Sequence, residues 1–296
     1  MRNIFLTISI LLTSLSLAQN YKTDFGKYFQ EKDTIRQLET LLKWEKDNPK
    51  DAELFTSYFN YYFQKSKKEI LSLTTKKPNG DVLVLKDSLD QTAGYLGGTE
   101  NYDEKNLKNA FTKIDKGISF YPDRLDMRFG KIYALGKVED WPKFTSEIIK
   151  AIDYSQKNRN NWTWTDNIKK DNGQEFLLSS IQSYQLQLYD TERDDLLPNM
   201  REIALAILKY YPNNVESLSN LSVTYFLAGE YNKGLEALFK AEKINPKDYI
   251  VLSNIAHGYK LNGNKSKAIE YYEKTLLYGD EDAKNFAEQQ IAELKK

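Results

Sequence analysis

The chain has one histidine, His257, and no cysteine. Those two facts remove thiol nucleophiles, disulfide frameworks, zinc ribbons, multi-histidine metal sites and paired proton relays. A Ser-His-Asp triad would have to recruit His257, yet the sequence offers no G-x-S-x-G elbow to present a serine. His257 instead falls mid-way along a segment of helical period, where Ser253 would project from the same rigid face with no oxyanion hole. Acid/base work by two carboxylates needs them held apart across a cleft. Asp194 with Asp195, and Asp280-Glu281-Asp282, are contiguous and stand beside helix starts, where they serve the helix dipole. Gly94-Tyr95-Leu96-Gly97-Gly98 has the glycine content of a phosphate cradle without its Lys-Ser/Thr or its strand-to-helix setting, and reads as a flexible turn. No catalytic residue, cofactor or metal is expected, and the chain is not expected to be an enzyme.

Trp162 and Trp164 alternate as an extended segment would place them, on one face. Exposed indoles stack on sugars, so a carbohydrate-binding surface or periplasmic protein is one reading. The other is that both rings are buried under an irregular loop covering a junction between helix pairs.

The elements that must position these groups are helical almost throughout. The 296 residues carry 42 basic and 42 acidic side chains, a balance that argues against a nucleic-acid partner. With 13% aromatic residues the chain is too apolar to be disordered. At the N-terminus, Arg2 precedes an apolar stretch from Ile4 to Leu17, and Ser16-Leu17-Ala18 supplies the small residues a signal peptidase reads. A spanning helix needs about 20 predominantly apolar residues, whereas Thr7, Ser9, Thr13 and Ser14 interrupt this one. Residues 1–18 are therefore expected to be a cleaved signal peptide. Residues 19–296 are expected to be exported, periplasmic or secreted, with no membrane span. The lack of cysteine suits a bacterial envelope.

Leu218-Ser219-Asn220-Leu221 recurs as Leu252-Ser253-Asn254-Ile255, and the same offset relates Tyr225 to Tyr259, Gly229 to Gly263, Gly234 to Ala268 and Leu238 to Tyr272. Each copy reads as two amphipathic helices, Val215–Ala228 and Asn232–Lys243 in the first, punctuated by Pro212 and Pro246. Fainter copies lie upstream, at Thr34–Lys46, Asp51–Gln64, Leu107–Tyr121, Leu125–Leu135, Lys143–Tyr154, Glu175–Leu188 and Met200–Tyr211. Asp282–Leu294 reads as a closing helix. Two apolar runs, Ile70–Thr75 and Val82–Lys86, flank Lys77-Pro-Asn-Gly80 and predict a β-hairpin insertion at about 70–100.

Leu218, Leu221, Ser222, Tyr225, Gly234, Leu238, Ala241 and Pro246 fall where the tetratricopeptide (TPR) repeat family places its packing residues, as do Leu252, Ile255, Ala256, Tyr259, Ala268 and Tyr272. The chain thus resembles that family over units 215–248 and 249–282, with a capping helix at about 282–295. It departs where Gly234 replaces the small packing alanine and where Gly279-Asp280 replaces the closing proline. The resemblance implies an all-α, helix-turn-helix solenoid over 19–296 with a small β-hairpin insertion, acting as a protein–protein interaction or assembly scaffold. In such a solenoid the first helix of each unit lines a concave groove. That would place Ser219, Asn220, Val223 and Phe226 beside Ser253, Asn254, His257 and Lys260, as the binding surface for a protein or peptide. Relatives that clamp a carboxylate tail carry lysine with asparagine at such sites. Here only Asn220 and Asn254 match, so no carboxylate clamp is expected.

Overall fold

In the computed structural model, residues 20–75, 77 and 82–296 are described. The expected signal peptide at 1–18 and the Asn79-Gly80 turn lie outside the described residues. Aspartates open the early helices. Asp33 Oδ1 accepts from the Arg36 amide at 3.0 Å, Asp51 from Glu53 at 2.9 Å and Asp103 from Asn106 at 3.0 Å, each satisfying an amide the helix itself leaves unpaired. The helices so started are α2 (Thr34–Asp47), α3 (Ala52–Ser66) and α4 (Glu104–Phe120), with α1 (residues 20–30) before them and α5 (Leu125–Lys137) after.

The described residues fall into two compact units. The first holds those up to Glu139 together with Trp162–Lys169, and the second holds Asp140–Asn161 and Lys170–Lys296. In the first unit the aromatic run of α3 divides by helical period. Tyr58 and Tyr61 join Phe25, Leu41 and Trp44, while Phe59 and Phe63 join Ala110, Ile114 and Met127. Burial of these side chains rather than helix propensity holds α3, whose run of aromatic residues is a middling helix former.

The β insertion is present, but its pairing differs from the hairpin expected. Strands β1 (Lys67–Thr74) and β2 (Val82–Lys86) do not pair with each other; β3 (Thr92–Tyr102) lies between them, antiparallel to both. The glycine-rich segment Gly94–Gly98, read as a flexible turn, is thus part of the central strand. Glycine fits there because a Cβ on Gly94 would stand 3.2 Å from the Thr74 carbonyl oxygen. The closing turn is at 87–91, where Asp87 Oδ1 accepts from the amides of Leu89 and Gln91 at 2.8 and 2.9 Å. An Asn-Gly pair signals a turn; it does not decide which strands become neighbours. By register, Leu71, Leu73, Leu83, Leu85 and Leu96 share one face of this sheet.

The second unit contains α6 (Trp141–Asn158), α7 (Gly173–Tyr189), α8 (Leu197–Tyr210), α9 (Val215–Leu227), α10 (Tyr231–Ile244), α11 (Tyr249–Leu261), α12 (Lys265–Tyr278) and α13 (Glu281–Leu294). Asn214 caps α9 and Asp248 caps α11 at equivalent positions of the repeat. The turn after each of these helices needs a left-handed residue, supplied by Gly229 (φ 75°) and Gly263 (φ 78°). Leu238, Ala241, Ile255, Ala256, Ala268 and Tyr272 form the fully or almost fully buried centre of the cluster joining α9 to α13. The fold class is all-α and TPR-like, built of helix pairs with a small antiparallel β insertion. No described helix is long and apolar enough to cross a membrane.

Candidate functional site

The repeat places Ser219, Asn220, Val223 and Phe226 of α9 at the same four positions as Ser253, Asn254, His257 and Lys260 of α11. Six of the eight, all but Phe226 and His257, are half-buried; His257 is exposed. Phe226 departs from the expected set, being only 7% exposed. Its ring fills the space left by two glycines: a Cβ on Gly234 would lie 2.3 Å from Phe226 Cε1, and one on Gly258 2.5 Å from Cζ. The glycine that departs from the repeat pattern at 234 therefore has a packing cause, and Phe226 belongs to the core.

The polar members differ in how far they are already committed. Asn220 and Gln182 of α7 exchange amide hydrogen bonds at 2.6 and 3.4 Å. Lys260 Nζ donates to Gln290 Oε1 at 2.6 Å and reaches Glu293 at 3.3 Å, which ties it to α13. Asn254 hydrogen-bonds no described residue. His257 stands edge-on to Phe226, centroids 6.4 Å apart. Its pKa lies below 6.5, first through desolvation and then through Lys260, so at neutral pH it offers one donor and one acceptor without charge. The surface is therefore one of neutral hydrogen-bonding groups on two capped helices, with its single cation paired. Groups of this kind hydrogen-bond to amide N–H and C=O groups without contributing charge.

Sequence reasoning missed an adjoining cleft of about 690 Å³, lined by Leu178, Ser179 and Gln182 of α7 with Ile207, Asn214 and Ser217. The period of Glu175–Leu188 was legible, but it marks the buried side of a helix, whereas the cleft uses the other side.

The exposed tryptophan face of the alternative, sugar-binding reading does not form. Trp162 is fully buried, with the Arg128 guanidinium 5.9 Å from its ring centre, while Trp164 is partly exposed and meets Phe129 edge-on at 6.3 Å. The segment carrying them is tied to the first unit by backbone bonds, Leu125 N–H to Thr163 O at 3.0 Å and Thr163 N–H to Asp123 O at 2.9 Å. Two exposed indoles on one face are thus excluded as a sugar platform, because one of the two rings is in the core.

No family model matches the chain, and no curated protein matches it. Solved structures do. YrrB, described as a TPR protein with an unusual peptide-binding site, is 15% identical, with 84% of this chain and 97% of that one covered and a TM-score of 0.41. The Sgt2 TPR domain from Aspergillus fumigatus is 20% identical over 40% of this chain and 76% of its own, at a TM-score of 0.35. The Yersinia enterocolitica type III secretion chaperone SycD, solved with a peptide of the translocator YopD, is 10% identical over 40% of this chain and 92% of its own, at 0.36.

Proposed function

We propose that this chain is an exported, bacterial-type interaction scaffold that binds a protein or peptide on the α9/α11 face of its second unit and performs no catalysis of its own. The observation that carries the reading is the repetition of that face. Ser219-Asn220 and Ser253-Asn254 stand at equivalent places on successive first helices, held by side-chain caps at their N-termini, and Asn254 has no partner among the described residues. Half-buried amides fixed on rigid helices are suited to pairing with peptide backbone, since their positions are set before the partner arrives. Export rests on Arg2, the apolar run after it and Ser16-Leu17-Ala18, and it places the working protein in the periplasm or outside the cell.

The test begins with the protein recovered from the envelope of its own cells, whose intact mass should place the N-terminus at Gln19; a retained Met1 in the membrane fraction contradicts export. With that material as bait, the double variant Asn254→Ala, His257→Ala should keep its stability within about 1 kcal/mol, as substitutions outside a core do. It should also lose most of the partner that the unaltered protein captures. Equal capture by the folded double variant removes the α9/α11 face from consideration.

A further inference from the structure

Helix α3 puts Glu53, Ser57 and Asn60 on one side by their spacing. They face a cleft of about 380 Å³ inside the first unit, whose other walls are α1 and α5. Its charges do not cancel. Arg124 is 1% exposed and donates to Asp126 through Nε at 2.8 Å and Nη2 at 2.7 Å, while Nη1 meets Glu53 Oε1 at 2.7 Å. Two carboxylates therefore share one guanidinium. The other cation at the cleft, Lys22, is engaged with Asp166 at 2.5 Å. Glu53 Oε1 also accepts the Asp166 amide at 2.8 Å, but Oε2 has only a long contact from Thr56 Oγ1 at 3.5 Å.

A second observation is independent of charge. Ser57 lines the cleft and is only 6% exposed, and its hydroxyl hydrogen-bonds no described residue. The residue is more than nine-tenths buried while its hydroxyl stays unpaired at the cleft wall, so a donor entering the cleft can use it. The walls also leave room. A Cβ on Gly26 of α1 would meet nothing within 4 Å, and one on Gly130 of α5 would meet only Phe59 Cε1 at 3.5 Å. Helix interiors disfavour glycine, and no contact within the protein requires it at either place; what both glycines do is keep the cleft open.

We propose that this cleft binds a primary ammonium group carried on an apolar stem, from a peptide amino terminus or a lysine side chain, through Glu53, Asp126 and Ser57. Three N–H donors match the acceptors of those side chains, the added charge offsets the excess of three carboxylates (Glu53, Asp126, Asp166) over two cations (Arg124, Lys22), and an apolar stem suits the lining rings of Phe25, Phe29 and Phe59. The inference does not rest on the α9/α11 face, and neither result decides the other.

Calorimetric titration of the full chain with three probes tests it: the tripeptide amide Phe-Ala-Ala with a free amine, the same peptide N-acetylated, and N-acetyl-lysine methylamide. At least one amine probe should bind, about tenfold or more tighter than the acetylated peptide, and whichever amine binds better identifies the source. Ser57→Ala and Gly26→Leu should each weaken that binding about tenfold with the melting temperature unchanged or raised, since neither replacement removes an internal contact. Equal binding of free and acetylated peptides, no heat from either amine at millimolar concentration, or unaltered binding by Gly26→Leu would each overturn the proposal.

Discussion

Replacing Arg124 with alanine is expected to cost about 3–5 kcal/mol of stability, the usual consequence of removing one partner from a buried ion group. The side chains of Glu53 and Asp126 are each 12% exposed, and without the guanidinium they would face each other in a poorly solvated space. Burial by itself would lower the pKa of Arg124; the bonds to Asp126 and then Glu53 more than offset this and raise it, so the guanidinium keeps its charge. Arg124→Lys should recover little, because one ammonium cannot fork between two carboxylates as a planar guanidinium does. The loss should appear in urea unfolding as a lower midpoint with the slope kept. The segment at 162–169 should become susceptible to proteolysis, because Arg124 Nη1 also reaches Asn167 at 3.2 Å. A loss under about 1 kcal/mol would mean that the buried cluster is not formed in solution.

Phe226→Ala is expected to cost about 3–5 kcal/mol in the second unit. The ring reaches Gly234 of α10 and Gly258 of α11 from α9, so truncation empties a space bounded by three helices that cannot collapse onto it without moving. The opposite change should also destabilise. Alanine at Gly258 would bring Cβ within 2.5 Å of Phe226 Cζ and 2.9 Å of Leu235 Cδ2, overpacking of the kind that costs about 1–3 kcal/mol. If Phe226 belonged to an open groove instead, its truncation would be nearly neutral, so a thermal melt of Phe226→Ala separates the two placements.

Phe226 also shows where reading from sequence fails. The helix pairs at 215–244 and 249–278 were legible because their information is local: an apolar period of 3.6, a capping residue, and a glycine at the one turn position that needs positive φ. Whether a given face of α9 is open is not local. It depends on Gly234 and Gly258, which belong to other helices and make room for a ring that the repeat pattern alone assigns to the surface. Strand β3 was hidden for a related reason. Its glycines lack strand propensity, and its place between β1 and β2 is set by pairing on both sides rather than by its own composition. The polar cluster at Arg124 left no trace in the sequence at all, since an arginine next to Leu125 looks like any exposed residue at a helix start. It becomes visible only when α3 supplies Glu53 and the segment near Trp162, some forty residues downstream, closes over it. Of the eight residues assigned to the binding face, the seven other than Phe226 keep at least partial exposure. Their hydrogen-bond commitments, Asn220 to Gln182 and Lys260 to α13, needed the three-dimensional neighbours to be known.

The central claim, that the α9/α11 face receives the partner, is tested most directly by photo-crosslinking from a benzoylphenylalanine placed at position 254, with position 236 on the exposed side of α10 as the control. The account predicts a discrete adduct from position 254, mapping to one segment of one partner, and none from position 236. Adducts of equal yield from both positions, or none from 254 while the partner is still captured, would contradict it.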